Sequence, residues 1–292
     1  MNKVSEMRDK AWRLLWKARW LNRFVFLIVT FSFIRYVAIN LAVSLMGASD
    51  DALNERLMAA TTPMEILDIL REPPFLRSIL LMMALAMFVA TIINAVASYG
   101  LARIRLSVAN GEEPANWQRM GFSGFSDPFS MFSLAILRTI FVWWPLLLFI
   151  APSVAALTGR DIARGALQFT SITALPLFAI SIVAFYRYRQ AWFIKAKHND
   201  WSALKCLRES SKMMVGHKWQ CFRLDCSFWR PITLMLMTAF GASLLSLLGG
   251  PQFAVFISTL LVIAQNLYLD SYIPLGQAIF HLELAKSGDG EK

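Results

Sequence analysis

The stretch FVFLIVTFSFIRYVAINLAVSLM, Phe24 to Met46, decides the fold class. A helix rises about 1.5 Å per residue, so these 23 residues are long enough to cross a hydrocarbon core about 30 Å thick. Arg35 is the only charge in the stretch. A cleaved signal peptide is the competing reading. Against it stand the long basic region before the stretch, the interruption at Arg35 and the lack of a small-x-small site at its end. The stretch is therefore expected to stay in place as a first transmembrane span, 24–46.

Composition extends this reading to the whole chain. Of 292 residues, 57% are hydrophobic and only 16% charged, and the apolar residues come in long blocks. That excludes an ordinary soluble domain and predicts an all-α, polytopic membrane protein. Further spans are expected at about 79–101, 139–157, 167–185, 231–248 and 253–275, making six in a single membrane domain, 24–285. A short polar tail, 286–292, follows. On this layout 22 of the 29 Lys and Arg residues fall on inner segments and five in outer loops, a strong positive-inside signal with both chain ends cytoplasmic. The formal charge of +10 sits beside the spans and forms no separate basic domain, so anionic phospholipid, not nucleic acid, is the expected counterion.

Outward from the first span, residues 1–23 carry seven Lys or Arg residues, with Trp12, Trp16 and Trp20 spaced four apart on one helical stripe. An interfacial helix is expected, indoles in the membrane and cations among the headgroups; the plainer reading is a positive flank that orients the span. The second span carries Ala84, Ala90, Ala95, Ala97 and Ser98, small enough to admit a close neighbour. Phe129 to Arg138 is expected along the interface before the third span, with Arg138 snorkelling to the headgroups. The fourth span is expected to continue as one helix through Tyr186–Trp192.

Between the fourth and fifth spans lies WSALKCLRESSKMMVGHKWQCFRLDCSFWR, Trp201 to Arg230. Asn199 or Asp200 is positioned to cap a cytoplasmic amphipathic helix there, and Gly216 to end it. Leu204, Leu207, Ser211, Met214 and Val215 share one face; Lys205, Arg208, Glu209 and Lys212 fall mostly on the other. Past the glycine, Trp219, Phe222 and Phe228 alternate with Lys218 and Arg223, a mixture suited to the headgroup layer. The expected lipid or partner surface is Trp12, Trp16, Trp20, Lys205, Lys212, Lys218, Trp219 and Arg223.

SALKCLRESSKMMVGHKWQCFRLDCSFW resembles the signature of a bacterial family of multi-pass membrane proteins catalogued as domain of unknown function number nine hundred and seventy-five. GLARIRLSVANGEEPANWQRMGFSGF and SYIPLGQAIFH are similar to two further family segments, with Ser271 where proline is expected. The resemblance covers about a third of the chain. It implies a small helical domain of the bacterial cytoplasmic membrane with signature loops on the inner side, and brings no established activity.

Chemistry-bearing residues are sparse. Cys206, His217, Cys221 and Cys226 are four soft ligands, the number that tetrahedral zinc takes, but their spacing matches no standard knuckle. Three reduced thiols and an incidental histidine are expected, with no metal or cofactor. Asp225 is expected to pair with Arg223 or Lys218, or to face water. His198 and His281 have no nucleophile or carboxylate set beside them in the sequence, and no phosphate-binding glycine loop or intramembrane protease motif is present, so an enzyme is not expected. Arg35 near mid-bilayer costs at least about 2.5–3.5 kcal/mol unless it is partnered. Asp270 is the expected partner, with Asn40, Asn94, Gln265 and Asn266 as polar neighbours, forming either a buried pair that fixes packing or a polar path through the bundle. Two functions remain open: a non-enzymatic scaffold or accessory protein holding anionic lipid, a membrane protein partner or a second copy at its inner face, and a small transporter or lipid-handling protein with a site inside the bundle.

Overall fold

The computed structural model describes residues 3–17, 20–47, 59, 73–114, 116–157, 164–228, 233 and 270–287. Among these residues all regular structure is helical and there is no strand. In chain order the helices are α1 (Lys3–Trp16), α2 (Trp20–Gly47), α3 (Pro73–Ala109), the short α4 (Trp117–Gly121) continued by a 3-10 turn (Phe122–Ser126), α5 (Pro128–Leu157), α6 (Arg164–Arg187), α7 (Ala191–Lys197), α8 (Ala203–Met213) and α9 (Lys218–Ser227). A last helix, α10, occupies 270–287. The expected fifth span, 231–248, apart from residue 233, and most of the sixth, 253–275, lie outside the described residues.

Among the described residues, two helices are long and apolar enough to cross a membrane, Trp20–Leu41 and Met83–Ala109. They become three if Trp117–Ser126 and Pro128–Pro145, bent by 79° against each other, count as one span. Only 17% of the residues in the α2 window are buried within the protein, and Phe33, Tyr36 and Met87 point outward at about two-thirds exposure. So large an apolar surface is costly against water and costs nothing against hydrocarbon. The polar side chains on these outward faces are answered by their own helix. Thr30 and Thr91 hydroxyls donate to the carbonyls of Phe26 and Met87 at 2.8 and 2.7 Å, and the Asn40 amide donates to Tyr36 at 2.8 Å. This is how polar groups persist where no water can reach them.

α2 packs along α3, α5 pairs with α6, and α3 runs between α5 and α2. The small residues of α3 bring a backbone close, and that backbone is the GFSGF segment, Gly121–Phe125. A Cβ added at Gly100 would lie 1.7 Å from the Gly121 carbonyl oxygen, and one at Gly124 would lie 2.6 Å from the carbonyl of Val96. Both positions need glycine for space. Phe122 and Phe125 are thereby laid against Phe31 of α2, with ring centroids 5.1 and 6.2 Å away.

Several local expectations differ. α5 is one helix from Pro128, so 129–138 is its first part and not a separate interfacial segment. α6 ends at Arg187; a turn at 188–190 redirects the chain into α7, so no continuous helix reaches Trp192. The cap of α8 is Ser202, which accepts from the Lys205 amide at 3.4 Å, because Asn199 is engaged by the Tyr99 hydroxyl at 3.1 Å. The buried face of α8 holds Ala203, Cys206, Leu207 and Ser210, so of the expected face Leu207 and Met214 are buried, Ser211 is half-buried, and Leu204 and Val215 are exposed. α1 buries Met7, Ala11 and Leu15 and packs against α9 and α2, so its inward stripe meets protein. Lys3 pairs with Glu283 of α10 at 3.4 Å, and the Tyr272 hydroxyl donates to the Arg8 carbonyl at 3.3 Å.

Gly100→Val is expected to lower the melting temperature in detergent by at least about 4 °C, since overpacking against a fixed backbone costs about 1–3 kcal/mol or more. Phe129→Ala, at a 75% exposed ring, should leave it unchanged. Equal melting of Gly100→Val and the wild type would contradict the α3 contact.

Candidate functional site

Polar residues expected inside the membrane line one cavity of about 330 Å³ between α2, α3 and α10, where Arg35, Asn94, Arg105 and Asp270 stand among apolar groups including Ile28, Phe31 and Leu101. The expected Arg35–Asp270 ion pair is not formed. Arg35 Nη1 donates to Asn94 Oδ1 at 3.2 Å, and Asp270 has a different cation, Arg105, whose Nη2 donates to the Asp270 carbonyl oxygen at 2.7 Å. Arg105 reaches the main chain of Asp270, and Arg35 and Asp270 line the same cavity without forming an ion pair. Gln265 and Asn266 lie outside the described residues, and Asn40 turns back on its own helix.

Arg105 is the residue that sequence reasoning missed. It is 9% exposed, and its Nε has no hydrogen-bond partner. The signal was there: Leu101, Arg105 and Val108 share one helical face, so an arginine stands on an apolar stripe. Arg138 also departs from its expected role, since its Nε is buried without a partner and it lines a second cavity with Arg105 and Arg189.

Asp225 does not meet Arg223 or Lys218. Its carboxylate accepts from Arg189 Nη2 at 3.0 Å, from the Tyr186 hydroxyl at 3.1 Å and from Gln277 Nε2 at 2.5 Å. The Cys221 thiol donates to Gln277 Oε1 at 3.2 Å. One acid thus joins the end of α6, α9 and α10. With ion-pair partners less than a fifth exposed, breaking this junction would leave a buried charge unanswered.

At the surface, Trp12 and Trp16 are 43% and 55% exposed and pack edge to face, while Trp20 is buried beneath the Arg23 guanidinium. With Trp20 buried, the three indoles do not form one outward stripe. Trp219 and Val215 are 66% and 70% exposed, with Trp219 stacked on Phe222. Lys205 lies over the Trp201 ring at 3.9 Å, Lys212 pairs with Glu209 at 2.7 Å, and Arg223 is exposed. All three histidines line one groove with Lys197, Lys212 and Glu209, an association invisible in their sequence spacing.

The cysteines do not converge. Cys206 packs with Leu134, Ile194 and Leu207, Cys221 bonds Gln277 and Cys226 is exposed. Among the described residues no group of three or more His, Cys, Asp or Glu is placed to hold a metal ion.

The fold and these sites define a helical protein with membrane-spanning candidates and clusters of polar side chains packed between its helices. No protein-family model, curated protein or solved structure matches the chain.

Two titrations follow. Burial pushes the Cys221 thiol up to about 12, against the lowering pull of Arg189, and burial also raises Cys206. N-ethylmaleimide at neutral pH should therefore add one group per folded chain, at Cys226, and three after denaturation. Two or more rapid adducts on the folded chain would contradict this. Burial, then the charges of Lys197 and His198, push the His281 imidazole from 6.5 down to about 4. The unfolded chain takes up this proton first, so stability is full above pH 6.5 and falls as pH drops towards 4. At pH 5 the loss is about 2 kcal/mol, and His281→Gln should flatten this part of the melting-temperature profile.

Proposed function

We infer that this chain is a six-span protein of the bacterial cytoplasmic membrane, non-enzymatic, with both ends inside, serving as a scaffold or accessory protein whose inner face holds anionic lipid. The observation that carries this reading is the exposure of Trp12, Trp16, Val215 and Trp219, together with that of Lys205, Lys212 and Arg223 and a half-buried Lys218. Large rings and long cations turned outward together suit the headgroup layer, where the ring is half in hydrocarbon and the cation meets phosphate. Each cation near an anionic surface contributes about 1 kcal/mol, so four of them would give a distinct preference for such lipid.

The second reading, a transporter or lipid-handling protein, is favoured by one observation: Arg35, Asn94, Arg105 and Asp270 face a common cavity inside the bundle.

Tryptophan fluorescence in bilayers with brominated acyl chains tests the first reading. Brominated phosphatidylglycerol should quench more than brominated phosphatidylcholine, and the difference should disappear when Lys205, Lys212, Lys218 and Arg223 are changed to Gln. A headgroup preference that survives all four changes would remove the support for this surface.

A further inference from the structure

Arg105 of α3, Arg138 of α5 and Arg189 of the turn after α6 converge on a cavity of about 200 Å³. Ser98, Trp192 and Gln277 add hydrogen-bonding groups to its wall, and no acidic residue lines it. Arg189 commits one nitrogen to Asp225, and Arg105 commits one to the Asp270 carbonyl. Arg138 makes no hydrogen bond to any described residue, and the Nε atoms of all three are buried without partners. Between Ser227 and Asp270 the sequence contains no Asp or Glu, so that stretch has no carboxylate to offer them. Guanidiniums gathered in this way repel one another and have lost much of their hydration.

We propose that Arg105, Arg138 and Arg189 form a binding site for a single phosphate group, either on a lipid headgroup or as free inorganic phosphate. Guanidinium forks match the oxygens of a phosphate in pairs, which lysine cannot do. Size points the same way: a cavity equal to about seven waters, at about 30 Å³ each, is too small for a drug-sized molecule and roomy for a phosphate. Ser98, Arg105 and Pro274 also line the larger cavity that contains Arg35, so the two adjoin. A phosphate ester seated on the arginines has room there for its organic part. This site lies within the bundle and is separate from the cationic surface of α8 and α9.

Thermal unfolding of the full-length protein in a non-ionic detergent, with added inorganic phosphate or short-chain phosphatidylglycerol, tests the proposal together with native mass spectrometry for retained lipid. The expected result is a saturable rise in melting temperature, or one phosphatidylglycerol retained per chain. In Arg138→Gln the affinity should fall at least about tenfold, whereas Lys205→Gln with Lys212→Gln should keep the wild-type value. Retained or stabilising phosphatidylglycerol assigns the phosphate to a headgroup; a response to inorganic phosphate alone assigns it to a soluble ion. Without ligand, Arg138→Gln should melt no lower than the wild type, because among the described residues Arg138 makes no hydrogen bond or ion pair and lies only over the Phe185 ring at 5.7 Å. A lower melting temperature with an unchanged ligand response would show a purely packing role and overturn the proposal. A wild-type protein with neither retained lipid nor a saturable response to either probe would overturn it without recourse to any variant.

Discussion

The carboxylate of Asp225 is the interaction on which the joining of α6, α9 and α10 depends. It draws in Tyr186 and Arg189 from the end of α6 and Gln277 from α10, while its own helix presents Cys221 to the same glutamine. Hydrogen bonds to an ionised group in a partly dry site are stronger than in water, and each also fixes the direction of its donor. Because Arg189 is held there, the 188–190 turn has a defined course, and α7 leaves it to pack against α3. Apolar contact then fills in around these fixed points: Gly276 accepts the Phe228 ring, which a Cβ would meet at 2.7 Å, and Phe228 stands edge-on to Tyr272 at 4.7 Å.

The sequence shows most clearly what depends on length and local chemistry. α2 and α3 are readable because an uninterrupted apolar run has few alternatives to a spanning helix. Gly216 announces the end of α8 through its left-handed conformation, φ +77°, in which other residues are strained. The small residues of α3 announce a close approach, although not that its partner would be the Gly121–Phe125 backbone.

What the sequence hides is azimuth, the direction in which each helix turns its side chains. Expected depth in a bilayer put Arg35 and Asp270 together, but Arg35 bonds the Asn94 side chain and Arg105 takes the main-chain carbonyl of Asp270. The same blindness put Leu204 and Val215 on the buried face of α8, where Ala203, Cys206 and Ser210 join Leu207 instead. Arg105 and Arg138 were hidden by a different effect. A basic residue next to an apolar run satisfies the positive-inside rule whether it faces water or the protein interior, so the rule conceals arginines that are buried. Asp225 lies 36 and 52 residues from two of its partners, and no local pattern marks contacts at that separation.

The pairing of Lys3 with Glu283, and the Tyr272 hydrogen bond to Arg8, place the beginning and end of the described chain in one layer. Terminal helices fray where nothing holds them. Here α1 and α10 hold one another, so loosening one end of the described chain loosens the other as well.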